Sequence, residues 1–253
     1  LCEQEPLKAR NMQFVHIEGP DQRGVDCALL YNPKLFQVRD VKLYPYIYVK
    51  PEDSLRATRG FLTVSGTLAG EHVTVIVNHL PSRFAGSYYR EEGGRQLYEL
   101  KQQLLKEDPN VKLLIMGDMN DDPQDKSMAE ALGARRKMKD VEEGGLWNPW
   151  WDVLASGTGT LQYDGGWNLF DQIILSRSLL DTKHTKDGKD VDLNKIDCST
   201  LKYYRHQIFN RDYLFQREGK YKGNMLRTHA GGAWLNGYSD HLPTIVYLVK
   251  EAK

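Results

Sequence analysis

Cysteine is scarce: Cys2, Cys27 and Cys198 are the only three in 253 residues. They are odd in number and far apart, which gives neither a disulfide framework nor the short paired spacing of a zinc site. They read as small buried hydrophobes and leave the compartment open, a secreted or periplasmic one included. No apolar run approaches the roughly 20 residues that span a bilayer, so no integral membrane segment is expected. Net charge is also missing, with 34 Lys+Arg against 34 Asp+Glu. That balance removes the strongly basic footprint of proteins that grip duplex nucleic acid by charge alone, while a local basic cleft stays open. GxSxG, HExxH and GxxxxGK[ST] do not occur, which argues against a serine-hydrolase elbow, a zinc protease and a P-loop nucleotidase.

What is present is globular: 40% hydrophobic and 10% aromatic residues suffice for a sizeable core and exclude disorder. Short β-branched runs bounded by Gly, Asp, Asn or Pro predict strands in Val25–Tyr31, Thr58–Leu68, Val73–Asn78, Lys112–Met116, Phe170–Ser176 and Pro243–Leu248. Leu97, Leu100, Leu104 and Leu105 share one face of a helix predicted over Gln96–Lys106. Asp181–Thr228, rich in Lys, Asp, Tyr and Gly, reads as loops. Without repeat or linker, residues 1–253 read as one domain of sheets covered by helices.

Four runs carry candidate chemistry. In Val111–Pro123 a buried strand stops at Gly117 and presents Asp118 and Asn120, two apart and so on one side of an extended chain. A carboxylate and an amide there suit activation of a water and stabilisation of an anionic transition state, although Gly, Asp, Asn and Pro equally make a capped turn. Val73–Arg83 carries a strand out to Asn78 and His79, where an imidazole beside Arg83 can serve as acid or phosphate ligand; a lone histidine is more often structural. Gly237–Pro243 offers adjacent Asp240 and His241, weak as a dipeptide. Trp167–Ser176 puts Asp171 at the head of a buried strand, able to accept an imidazole proton or simply to cap backbone amides. Upstream, Leu1-Cys2-Glu3 reads as the end of a strand, with Glu3 free to bind a hard cation.

Strand-HLPSR, strand-GDxN, FDQ and SDHLP in this order resemble the endonuclease/exonuclease/phosphatase superfamily, from Glu3 to the last strand. RGVDCALLY (Arg23–Tyr31) and TRGFLTVSG (Thr58–Gly66) are similar to a bacterial subgroup within it. The resemblance implies a four-layer αββα sandwich, two packed mixed β-sheets flanked by helices, deoxyribonuclease-like, with the active site at one end of the sheets. It implies Mg²⁺ or Mn²⁺ held by Glu3, with Asp240 in or beside the metal shell. Asp118 would orient or activate the attacking water, Asn120 hydrogen-bond a nonbridging oxygen, His241 meet the scissile phosphate and Asp171 orient His241. His79 matches the second histidine of the deoxyribonuclease-like branch, Arg59 its phosphate-contacting arginine, and Asp26 a partner for His79. The base assignment stays divided between Asp118 and His241.

The family's first strand, with its asparagine near the metal, has no counterpart, and a chain opening at Leu1 without methionine is expected to have lost a leader or first segment. Only residues 4–14 separate Glu3 from Val15, where the family has a helix. Arg83, Tyr88, Tyr89, Arg90, Tyr203, Tyr204, Arg205 and Arg227 either form a base-stacking, phosphate-contacting surface or pack loops, the second being favoured, as it is for His206 and His229. The expected activity is a divalent-metal-dependent phosphodiesterase, foremost a nuclease on DNA or RNA. The alternatives are a hydrolase of a sugar or lipid phosphate and, against the retention of every matched side chain, a non-catalytic binding protein. No protein partner is implied.

Overall fold

The computed structural model describes residues 1–48, 58–163, 165–184 and 192–252, so residues 185–191 of the stretch expected to be loops lie outside the described residues. In chain order the strands are β1 (Gln13–His16), β2 (Ala28–Tyr31), β3 (Phe36–Tyr44), β4 (Phe61–Leu68), β5 (Glu71–His79), β6 (Lys112–Asp118), β7 (Ala134–Arg135), β8 (Leu146–Trp147), β9 (Leu161–Tyr163), β10 (Gly166–Asn168), β11 (Asp171–Ser176), β12 (Lys202–Ile208), β13 (His229–Ala230), β14 (Ala233–Trp234) and β15 (Thr244–Val249). Helix α1 spans Ser87–Glu107 and α2 Trp150–Ala155.

The frame is a seven-stranded mixed sheet in the order β3-β4-β5-β6-β11-β8-β7. Its central pair, β5 and β6, is parallel and therefore needs a crossover, which α1 supplies. Alternation along β5 sorts the side chains. Val73 and Val75 face one core with Leu62, Val64, Leu175, Trp147 and Tyr203, while Ile76 faces another with Phe61, Ile115, Ile174 and the α1 residues Leu97 and Leu100. The first core is closed by the antiparallel pairs β1–β2 and β12–β15, which contribute Leu29, Tyr203, Val246 and Leu248. Helix α1, the large mixed sheet and the opposing strands thus form three of the four expected layers. Among the described residues the opposing layer is built of two-stranded pieces, and no helix is long and apolar enough to cross a membrane.

Several boundaries move for physical reasons. Helix α1 begins nine residues before the expected start at Gln96, and Gly93 and Gly94 are where its backbone meets the residues beneath it. A Cβ at Gly94 would lie 2.2 Å from the Ser127 carbonyl oxygen. The strand expected from Val25 starts only at Ala28, since Asp26 turns inward to accept the Gly19 N–H at 3.0 Å. Strand β12, KYYRHQI, lies inside the stretch read as loops: its polar residues hid a half-buried alternation in which Tyr203 stacks edge-on against Trp147.

Candidate active site

Register builds the site. In the parallel β5–β6 ladder His79 stands opposite Asp118, and in the antiparallel β6–β11 ladder Asp118 stands opposite Asp171. Directly paired residues share a face, so one imidazole and two carboxylates form a row across the three central strands. The row continues the alternation of Val77, Met116 and Leu175, whose side chains pack between the large sheet and its opposing strands, and so ends that interface. Gly117 makes the close approach possible: a Cβ there would lie 1.8 Å from the Asn78 carbonyl oxygen, and the residue sits at φ 140°.

His79 Nε2 lies 3.3 Å from Asp118 Oδ2. On the other side of the row His241, from the turn preceding β15, places Nδ1 2.8 Å from Asp171 Oδ2. Its backbone N–H donates to Ser239 Oγ at 3.0 Å, and the next N–H, of Leu242, donates to the Thr160 carbonyl at 2.7 Å. Thr160 is fully buried and its Oγ1 also accepts the N–H groups of Phe170 and Asp171, at 3.2 and 3.3 Å. One threonine therefore ties the head of β11 to the loop that delivers His241. Nothing in the motifs singles it out, because its signal is a contact between segments far apart in the chain.

Asn120 adopts the left-handed region at φ 51°, its N–H donating to Asp118 Oδ1 at 2.8 Å and its side-chain amide to the Leu80 carbonyl at 2.9 Å. Arg59, just ahead of β4, is buried, with no hydrogen-bond partner for Nε. Beneath it Asp21 Oδ2 lies 4.0 Å from that nitrogen, while Asp21 is clamped by Arg23 through Nε at 3.0 Å and Nη2 at 2.7 Å. The Arg23 hydrogen bonds, outweighing burial, hold the Asp21 carboxyl down at about 2. This Asp-Arg clamp was legible only as an Asp-x-Arg spacing.

The environment separates the protonation states of the row. Burial, reinforced by the Arg59 charge, pushes His79 down to about 4 and keeps its imidazole neutral. Burial and the facing Asp171 charge raise Asp118 to about 6. Burial pulls His241 down, but the Asp171 hydrogen bond and the charges of Asp171, Asp118 and Asp240 outweigh it and leave His241 at about 9. At neutral pH the cluster therefore holds a neutral imidazole at His79, an ionised carboxylate near its pKa at Asp118 and an imidazolium at His241, three groups of different proton affinity.

Other expected positions fall elsewhere. Asp26 partners His16, Nε2 to Oδ2 at 3.1 Å, whereas His79 partners Asp118. Glu3 lies in consecutive turns rather than at a strand end, its side chain 89% exposed and 3.8 Å from Lys8 Nζ. Asp240 is half exposed, with Oδ2 3.7 Å from Arg227 Nη2. Among the described residues, three His, Cys, Asp or Glu donors with ligand atoms within 4.8 Å of one another are His16, Glu18 and Asp26, a group that includes neither Glu3 nor Asp240. Arg83 reaches Asp122 at 3.2 Å and Asp125 at 2.9 Å and lies over the Phe170 ring; Arg90 is buried against the Ser82 and Gly86 carbonyls. Tyr203 and His206 pair at 2.6 Å beside Trp147 and Trp150, and His229 meets Trp234 edge-on.

Comparison with known proteins supports the family and the fold. A family model described as the Endonuclease/Exonuclease/phosphatase family matches residues 1–250. Similar solved structures include a Bacteroides thetaiotaomicron mannosyl-6-phosphatase (TM-score 0.55, 14% identity, 94% of this chain and 77% of that one). Another Bacteroides thetaiotaomicron protein, of the endonuclease/exonuclease/phosphatase family, has TM-score 0.54 and 16% identity over 95% and 74%. D. rerio TDP2 complexed with a single-strand DNA product has TM-score 0.52 and 14% identity over 95% and 78%. At such identities the likeness is one of fold, the deoxyribonuclease-like layered fold. No curated protein sequence matches the chain.

Proposed function

Because the chain belongs to the endonuclease/exonuclease/phosphatase family, whose members are phosphoester hydrolases, we propose that it hydrolyses phosphodiester bonds, with a nucleic-acid strand as the leading substrate. The observation that carries this reading is the His79–Asp118–Asp171 row with His241 bound to Asp171 and Arg59 beside it. A phosphodiester is anionic, so its hydrolysis needs a positioned base for water, positive charge at the phosphoryl oxygens and an acid for the leaving oxygen.

Asp118 is the base in this scheme: its carboxylate titrates close to neutrality and is oriented by the Asn120 N–H. It takes a proton from the water as the new O–P bond forms. His241 is the acid. With Nδ1 held by Asp171, Nε2 carries the imidazolium proton toward the leaving oxygen as the old P–O bond breaks. The proton on Asp118 and the vacancy on His241 are then restored through solvent. Arg59 and neutral His79 offer a charge and a hydrogen bond to the nonbridging oxygens.

The test compares wild type with Asp118→Asn and His241→Ala on plasmid DNA, bis-(p-nitrophenyl) phosphate and p-nitrophenyl phosphate, with Mg²⁺, Mn²⁺ or EDTA. Turnover of the diesters, lost in both variants, is expected. Turnover of the monoester alone would replace the reading by a phosphatase, and diester turnover undiminished in both variants would remove the row from the chemistry.

A further inference from the structure

Enzymes of this family generally use divalent metal ions, yet the acid that the sequence motifs offer for one, Glu3, stands in solvent beside Lys8. A different set of donors is already gathered. His16 ends β1, Glu18 follows two residues later on an extended stretch, and Asp26 lies just before β2, which pairs with β1 through His16 and Ala28. One ligand atom from each of the three lies within 4.8 Å of the others.

The arrangement is built around Asp26. Its side chain is only 6% exposed, Oδ1 is fixed by the Gly19 N–H at 3.0 Å, and Oδ2 is left facing His16 Nε2 at 3.1 Å. Residue 19 has to be glycine for this, since a Cβ there would meet Asp26 Oδ1 at 2.5 Å. Neighbouring ligands bound at about 2.1 Å to one ion stand about 3 Å apart, the separation His16 and Asp26 already have. Glu18 is exposed, and a carboxylate oxygen of it lies within 4.8 Å of the other two donors, in reach of the third position. The hairpin ladder and the Gly19 contact thus hold two donors in place and leave the third adjustable.

We infer that His16, Glu18 and Asp26 form a binding site for a divalent transition-metal ion such as Mn²⁺. One imidazole nitrogen with two carboxylates favours such an ion over Mg²⁺, which prefers oxygen ligands throughout. The ion would clasp the ends of the 17–26 loop. That loop backs onto the site: a Cβ at Gly19 would lie 3.3 Å from the Arg59 carbonyl oxygen, and Asp21 lies under the Arg59 guanidinium. Its role is to brace the segment that sets Arg59, and its binding does not depend on any substrate.

Mn²⁺ titration of the whole chain, followed by electron paramagnetic resonance, tests this apart from hydrolysis. One bound ion with a nitrogen coupling is expected, together with a rise in Tm. His16→Ala should abolish the nitrogen coupling and weaken binding about 10-fold or more, and Glu18→Gln should weaken it as well. Both side chains are exposed, so circular dichroism should show an unchanged fold in each. Glu3→Gln and Asp118→Asn should bind as wild type does. The inference is overturned if no Mn²⁺ binds, if the nitrogen coupling survives His16→Ala, or if Glu3→Gln loses the ion while His16→Ala retains it.

Discussion

The row on β5, β6 and β11 and the loops that surround it hold their functional groups by opposite means. His79, Asp118 and Asp171 are set by ladder register, so a displacement of any one would cost the hydrogen bonds of a central strand. Arg59, Asp26, Asp240 and Glu3 lie outside every ladder and take their positions from ion pairs and turns. A motif that ends a central strand therefore specifies a place in space, whereas one in a turn specifies only a residue type.

The sharpest way to break this contrast is Asp118→Asn, which keeps shape and register while removing the base. Loss of about 10³-fold or more in kcat on a small diester is expected. Stability should move the other way. Asp118 is raised in the folded protein, so its ionised form destabilises the fold at pH values above about 6, and that penalty fades as pH falls through 6 toward the unfolded value of 3.8. The asparagine variant should thus show a higher Tm than wild type at pH 8 and a smaller advantage at pH 4. A lowered Tm at pH 8 would mean that the carboxylate is a structural member of the ladder.

Next in size is Asp171→Asn, with a fall of about 10²-fold in kcat. The wild-type rate should follow a bell, rising as Asp118 ionises near 6 and falling as His241 deprotonates near 9. Because the Asp171 hydrogen bond and charge raise His241, their loss should draw the basic limb toward lower pH. A basic limb unmoved in the variant would assign it to another group.

Thr160→Val separates the two holding modes within one residue. It leaves the N–H groups of Phe170 and Asp171 without their buried acceptor, at a cost of about 1–3 kcal/mol. If the ladder alone fixes Asp171, kcat per folded molecule stays within about 3-fold and only the urea midpoint falls. A larger kcat loss would show that the tie to the His241 loop is needed as well.

The same contrast explains what was legible in the sequence. HLPSR, GDxN and FDQ end or begin apolar strands, and their His79, Asp118 and Asp171 stand side by side across the three central strands. His241 was legible because SDHLP abuts β15. Asp26 was misassigned to His79 because its partner, His16, is chosen by a hairpin whose turn the alternation does not reveal. Strand β12 was hidden by its charged residues, and Thr160 by having no chemistry of its own. Asp21 and Arg23, two apart, show a clamp only once Arg59 is seen above them.

Arg83 sits where the contrast is finest, since its motif follows β5 directly and its side chain is half exposed near the row. Its described partners all belong to the protein: the Asn120 carbonyl at 3.3 Å, Asn168 Oδ1 at 3.3 Å, Asp121 at 3.5 Å, Asp122, Asp125 and the Phe170 face. A guanidinium committed to three carboxylates has little charge left for a phosphate, and water screens much of the pairing energy. Arg83→Ala is accordingly expected to cost about 1 kcal/mol of stability, with KM for the diester changed by less than about 2-fold. Lysine at this position keeps the charge but loses the planar fork, so Arg83→Lys should recover little of the Tm. The decisive quantity is KM: a rise of about 10-fold at unchanged Tm would make Arg83 a substrate ligand, and its ion pairs with Asp122 and Asp125 a resting arrangement that the substrate displaces.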